Sequence, residues 1–289
     1  MAEEQAGTEP ESGPEADAGQ TADKSGQGVV AAFGQSLKTL RVRAGMEREE
    51  LGKRLGYSAS TIASFEQGRR IPPPRAIDRS DEVLGAAGLL TVWKDQLERA
   101  QYPAFFQGMA QLEKQAIELL MYDTMVVNGL LQTEEYMRAL LAMRRPPLDQ
   151  ETIEQRVTAR LARQDIFDRR PAPLLSFVMN ESVLRHRYGG KGVLRGQLEH
   201  LLLIGQRRNV ELQVMPTDVE DNAGVNGPFT VVTRKDGKKF LYVEAQNTSS
   251  LATDPEQTVL AAARYGIIRS QALTPRESLA FIEKLLGEL

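Results

Sequence analysis

The stretch 46–72, MEREELGKRLGYSASTIASFEQGRRIP, constrains this chain more than any other. Leu51 and Leu55 stand four residues apart, so both fall on one face of a short helix. Gly56 follows where a left-handed residue commonly ends a helix. Ser58 then occupies an N-cap position, and a second short run brings Ile62 and Phe65 to one face before Gly68 stops it. Pro72, Pro73 and Pro74 forbid further helix. Two short helices across a tight glycine-containing turn make a helix-turn-helix. The second helix turns small residues outward: Ala59, Ser60, Thr61 and Ser64, with Gln67, Arg69 and Arg70 at and beyond its end. A plain pair of packed helices is the competing reading, and helical patterning alone seldom produces this spacing.

Leu37, Leu40, Arg41, Gly45, Glu50, Leu51, Leu55, Gly56, Ser58, Ile62, Phe65, Glu66, Gly68 and Pro72 carry a gapless resemblance over 37–72. The family they resemble is that of the xenobiotic-response-element and phage-repressor-like DNA-binding domains. The resemblance implies an all-α, five-helix domain in which Arg41 pairs with Glu66, tying the first helix to the recognition helix. A buried pair of that kind is structural, and removing one partner costs roughly 3–5 kcal/mol. In such a motif the start of the recognition helix enters the major groove of double-stranded DNA. By position, Ser58, Ala59, Ser60, Thr61 and Ser64 face base edges, while Arg48, Arg69 and Arg70 are placed for phosphates. Long amide or guanidinium side chains are absent from 59, 60, 61 and 64. Direct readout is therefore modest, helped by Gln67, Arg69, Arg70 or DNA shape, and a homodimer on an inverted repeat is expected.

Charge placement agrees. The formal net charge is only -3, but 1–28 holds seven acids against one base, whereas 29–75 holds nine bases against four acids. The first stretch reads as a disordered acidic tail, the second as a basic lobe suited to phosphate contact. There are no cysteines, which removes disulfides, thiolate metal sites and thiol catalysis. No apolar run reaches the roughly 18–20 residues that span a bilayer, and the start lacks the order of a signal peptide. These features predict a cytoplasmic, nucleoid-associated protein with no membrane contact.

The 289-residue length suggests two domains, placed at 29–100 and 101–289. A first helix is expected over 29–44, and the last helices of the first domain over 75–98. Beyond Tyr102 and Pro103, spacing predicts helices over 109–121, from Thr133 to before Pro146, and over 150–169. Strands are expected over 174–179 and 210–215 around a helix at 197–206, with a hairpin over 229–233 and 240–243 turning at Asp236-Gly237. Asp254-Pro255 and Thr274-Pro275 each open a helix. The fold class is thus mainly α with a small sheet, α+β, the C-terminal domain being mixed.

The residues 129–133 (GLLQT), Tyr136, Arg138, Ala139, Arg160, Arg163, Gln164, Asn180, Glu181, Leu184, Arg185, Gly189, Gly190, Gln197, Leu198 and 210–216 resemble the C-terminal domain of WhiJ-like regulators. Asn128 departs from that family, which usually has proline there. The resemblance implies a transcriptional regulator with a small partner protein, in an antitoxin-like arrangement. The alternative is a C-terminal small-molecule sensor or cryptic enzyme.

Evidence for catalysis is thin. His186 and His200 lack ligand spacing, and Gly189, Gly190, Lys191 and Gly192 do not make a phosphate loop. No catalytic residue, metal or cofactor is expected. Arg156, Arg160 and Arg163 form one helical stripe, most simply a solvated or ion-paired face, with an acidic partner as the alternative.

Overall fold

The computed structural model describes residues 18–289 other than 103 and 247, and the side chains of residues 28–289 other than 103–105 and 247. The described residues are mostly helical with one six-stranded sheet, an α+β architecture.

Five helices come first: α1 (Ala18–Arg43), α2 (Arg48–Leu55), α3 (Ala59–Glu66), α4 (Pro74–Val83) and α5 (Lys94–Ala100), the last entered through a 3-10 turn at Thr91–Trp93. The start of α1 at Ala18 corrects the expected onset at 29. The stretch expected to be disordered overlaps this helix from Ala18 onward, and 1–17 lies outside the described residues. Alanine, lysine and glutamine between 18 and 28 allow a helix anchored by packed residues downstream to propagate backward. Those anchors are Val30, Phe33 and Leu37, which join Leu51, Ile62, Phe65, Ile77, Leu90 and Leu97 in one core. Each such side chain stabilises the fold by about 1.5–3 kcal/mol when fully buried.

The polypeptide continues through α6 (Ala104–Gln115), β1 (Ala116–Asp123), α7 (Glu134–Ala142), α8 (Gln150–Arg163), β2 (Leu174–Asn180), α9 (Glu181–Arg185) and α10 (Lys191–Ile204). It ends with β3 (Val210–Met215), β4 (Phe229–Arg234), β5 (Lys239–Ala245), β6 (Thr248–Ala252), α11 (Pro255–Gln271) and α12 (Pro275–Gly287). The helix expected over 109–121 is only half right. It stops at Gln115, and the remainder is β1. Leu119, Leu120 and Met121 favour helix intrinsically, but strand pairing on both sides overrides that preference. The helix expected over 150–169 ends at Arg163 and tightens into a 3-10 turn at Gln164–Phe167. The helix expected from 197 already begins at Lys191.

Strand order is β3-β2-β1-β4-β5-β6. β1 and β2 are parallel, with Met121 opposite Phe177, and β2 and β3 are parallel. β4, β5 and β6 follow as antiparallel neighbours, with Leu119 opposite Val232. Alternation along β1 feeds two cores. Leu119 and Met121 pack with α10 and α12 residues such as Leu198, Leu201 and Ile282. Leu120 and Tyr122 pack toward Ala261, Tyr265 and Ile268 of α11. The outer edge of β3 is closed: Val214 N donates to Ser278 Oγ at 2.9 Å, and Leu273 N donates to Val214 O at 2.9 Å.

One buried carboxylate organises the link between α4 and α5. Asp81 accepts from Gly88 N and Leu90 N, both at 2.8 Å, and from Thr91 N at 3.2 Å. Burial alone would raise its pKa, but the three backbone donors outweigh it and hold the carboxyl below its usual range. Its contribution is present above the unfolded pKa and lost as pH falls through the folded one. Asp81→Ala is expected to cost about 2 kcal/mol in urea unfolding at pH 7, and the gap to wild type should narrow below about pH 4.

Candidate nucleic-acid interface and strand-end cavity

The frame of α3 is set by two close approaches to α1. A Cβ on Gly34 would lie 2.6 Å from the carbonyl oxygens of Phe65 and Glu66, so only glycine lets the helices meet there. Gly68 has φ +68° and sits against the Ala31 backbone, which makes it the turn out of α3. The Glu66 side chain is 0% exposed and holds two arginines. Arg41 Nε lies 2.5 Å from Oε1, and Arg48 Nε lies 2.7 Å from Oε2. Arg41 Nη1 also donates to Met46 O, fixing the turn into α2. Hydrogen bonding to Glu66 keeps the Arg41 pKa raised. The carboxylate thus ties α1, α2 and α3 together.

Outside this frame the α3 surface is open. Ser58, Ala59, Ser60, Gln67, Arg69 and Arg70 are exposed, and Thr61 and Ser64 are half-buried. Ser58 caps the helix, accepting from Thr61 N at 3.1 Å, and its hydroxyl lies 2.8 Å from Ser60 Oγ and 2.9 Å from Thr61 Oγ1. The three hydroxyls are therefore partly engaged with one another. Arg48 Nε is committed to Glu66 while the side chain keeps 38% exposure. Arg70 lies 6.0 Å from the Phe65 ring centroid. The Arg69 carbonyl accepts from Gln155 of α8, a direct bond between the segment after α3 and the C-terminal region.

A cavity of about 320 Å³ opens at the carboxyl end of β1, between α6, α8 and the facing ends of β4 and β5. Asp123 lines it and accepts from Asn128 Nδ2 at 3.0 and 3.1 Å. Burial pushes the Asp123 carboxyl up to about 7, against the opposing effect of Asn128. Asn128 Oδ1 also accepts from Leu130 N at 3.0 Å, so this residue shapes the turn where the resembled family has proline. Gln132, 2% exposed, donates to Val127 O and accepts from Arg160 Nη1 at 3.0 Å. Arg163 pairs with Glu113 through Nη2–Oε1 at 2.7 Å and Nε–Oε2 at 2.8 Å. Its guanidinium lies 4.3 Å from the Phe106 ring centroid.

The arginine stripe of α8 therefore turns toward the cavity: Arg156, Arg160 and Arg163 all line it, which corrects the solvated half of the expectation, while the Arg163 pair with Glu113 fits the ion-paired half. Asp123 escaped the sequence reading because its strand was taken as a helix. The Gln132 link to Arg160 was equally hidden, although the GLLQT run containing Gln132 stood out. His186 is exposed and stacks on Tyr188. His200 Nε2 is buried without a partner, and burial lowers its pKa. Among the described residues no cluster of three or more His, Cys, Asp or Glu side chains suits a metal ion, and no helix is long and apolar enough to cross a membrane.

A carboxyl with a raised pKa contributes stability below its unfolded value, near 4, and loses it as pH rises through about 7. Wild-type stability should fall across that window. Asp123→Asn should remove the slope and unfold at higher denaturant at pH 8, by on the order of 2 kcal/mol. Parallel urea titrations at pH 5 and pH 8 check this, and equal slopes for both proteins would contradict it.

Comparison with known families gives two matches. Residues 32–92 match a family described as a helix-turn-helix domain. Residues 106–284 match one described as a domain of unknown function (DUF5753). Neither the curated proteins nor the solved structures contain a match to this chain. The helix-turn-helix match makes the chain a DNA-binding regulator. By the larger match, which covers more than half of its length, the chain belongs to the DUF5753 family.

Proposed function

We propose that this protein is a sequence-specific transcriptional regulator of the repressor-like and WhiJ-like kind, acting at the nucleoid in the cytoplasm. It binds an inverted repeat as a homodimer, and its C-terminal region, 101–289, receives the signal. The observation that carries the reading is the exposed start of α3 on a frame locked by Glu66. Ser60, Thr61 and Ser64 offer hydroxyls to base edges, and Ala59 offers a methyl to thymine. Gln67 supplies a longer amide at the end of the helix. Arg48, Arg69 and Arg70 bind phosphates and set the register. Short hydroxyl side chains discriminate weakly, so two half-sites are needed for useful affinity.

The homodimer is supported by the outer face of α11, where Val259, Leu260 and Ile267 stand 52–60% exposed. The same face supports a second reading, in which a small partner protein covers it in place of a second copy. Gln155 supports the receiving role of the C-terminal region, because its bond to the Arg69 carbonyl joins α8 to the phosphate-binding segment. No catalytic step belongs to this reading.

The test is binding of the full chain to its own upstream DNA, titrated with salt. Arg69→Ala with Arg70→Ala should weaken binding on all sequences and reduce the slope of log affinity against log salt by about 2. An unchanged slope would remove the phosphate role of both residues.

A further inference from the structure

The wall of the strand-end cavity carries two buried guanidinium groups that are answered very differently. Arg163 is answered in full by Glu113 and the Phe106 ring. Arg160, less than one turn earlier on α8, has the neutral oxygen of Gln132 as its partner, through Nη1 alone. Among the described residues no carboxylate lies within ion-pairing distance of it, and the Nε–Nη2 edge has no acceptor. That edge is the planar fork that matches a carboxylate with two parallel hydrogen bonds.

Burial, with Arg163 and Arg144 nearby, depresses the Arg160 pKa to about 10 against the attraction of Glu244, and the group stays charged at neutral pH. A desolvated cation with no ion-paired partner opposes folding, so its retention at a cavity wall points to a ligand. The rest of the lining narrows the ligand further. Three carboxyl groups, Glu113, Asp123 and Glu244, share the cavity with Arg160 and would oppose a second negative charge. Much of the remaining wall is apolar, including Met109, Met121, Val126 and Phe229, and would leave the oxygens of an inorganic anion unsatisfied.

We propose that this cavity is a receptor site for a small organic monocarboxylate. The carboxylate seats on the Nε–Nη2 edge of Arg160, held in orientation by Gln132, and the apolar body lies against Met109, Met121 and Phe229. Binding rests on the cavity alone. Its consequence for DNA rests on the regulatory reading above, through Gln155, five residues before Arg160 on the same helix, and the Arg69 carbonyl it holds.

The experiment titrates the full chain calorimetrically with benzoate, phenylacetate and indole-3-acetate, each beside its neutral amide, and with inorganic phosphate. At least one carboxylate should bind, at least tenfold more tightly than its amide, and Arg160→Gln should weaken it at least tenfold. Absence of binding by all three carboxylates, equal binding of acid and amide, preference for phosphate, or unchanged binding by Arg160→Gln would each overturn the proposal. A ligand-free measurement guards against a variant that merely unfolds. Arg160→Met, which removes an unanswered charge, should melt at or above the wild-type temperature, while Arg163→Met, which strands Glu113, should melt several degrees lower. An equal drop in both variants would make Arg160 structural and sink the idea. A carboxylate that binds through Arg160 yet leaves DNA affinity unchanged would support the site and refute the regulatory reading.

Discussion

The C-terminal region depends on the pairing of β1. Among the strands described it is the junction, parallel to β2 on one side and antiparallel to β4 on the other. Both faces are needed: Leu119 and Met121 enter one core, while Leu120 and Tyr122 enter the other. Its carboxyl end delivers Asp123 to the cavity. A one-residue slip would exchange the two faces and withdraw that carboxyl. Sheet, helical layers and cavity are consequences of one register.

The helical N-terminal region solves its electrostatics differently from the cavity. Glu66 is fully buried and answered by two guanidinium groups, so attraction and hydrogen bonding offset desolvation and fix three helices at once. At Arg160 the sign and the balance are reversed, with a half-buried cation hydrogen-bonded to one amide oxygen and attracted by Glu244 without an ion pair. The first arrangement makes a rigid presenting surface. The second leaves interaction free energy unsatisfied at a place that solutes can reach. Both arrangements lie on elements joined by Gln155 and the Arg69 carbonyl.

Most of the secondary structure was legible because its signals are local. Gly56, with φ +80°, and Ser58, which caps α3 through its own hydroxyl, stand within the short stretch they organise. The same holds for the caps at Asp254 and Thr274, the second a reciprocal capping box with Glu277, and for the β4–β5 hairpin. β1 was hidden because leucine, methionine and glutamate favour helix, and what makes it a strand lies far along the chain. β6 was missed as well, being short and rich in Thr and Ser. The candidate cavity was less legible still. Arg163 meets Glu113 and Arg160 meets Gln132 across 50 and 28 residues, so periodicity shows that the arginines share a face without showing what that face meets.

The position of β1 in the sheet also bears on the order in which the protein is made. The N-terminal helical core closes by contacts within 30–97, so it can be complete while the rest is still being synthesised. Leu119 must wait for Leu175 and its neighbours in β2, and then for Val232 in β4. During that interval the segment after Gln115 has no strand partner. The helical N-terminal core can therefore be complete ahead of an open sheet, and the cavity forms only once β4 and β5 have been made.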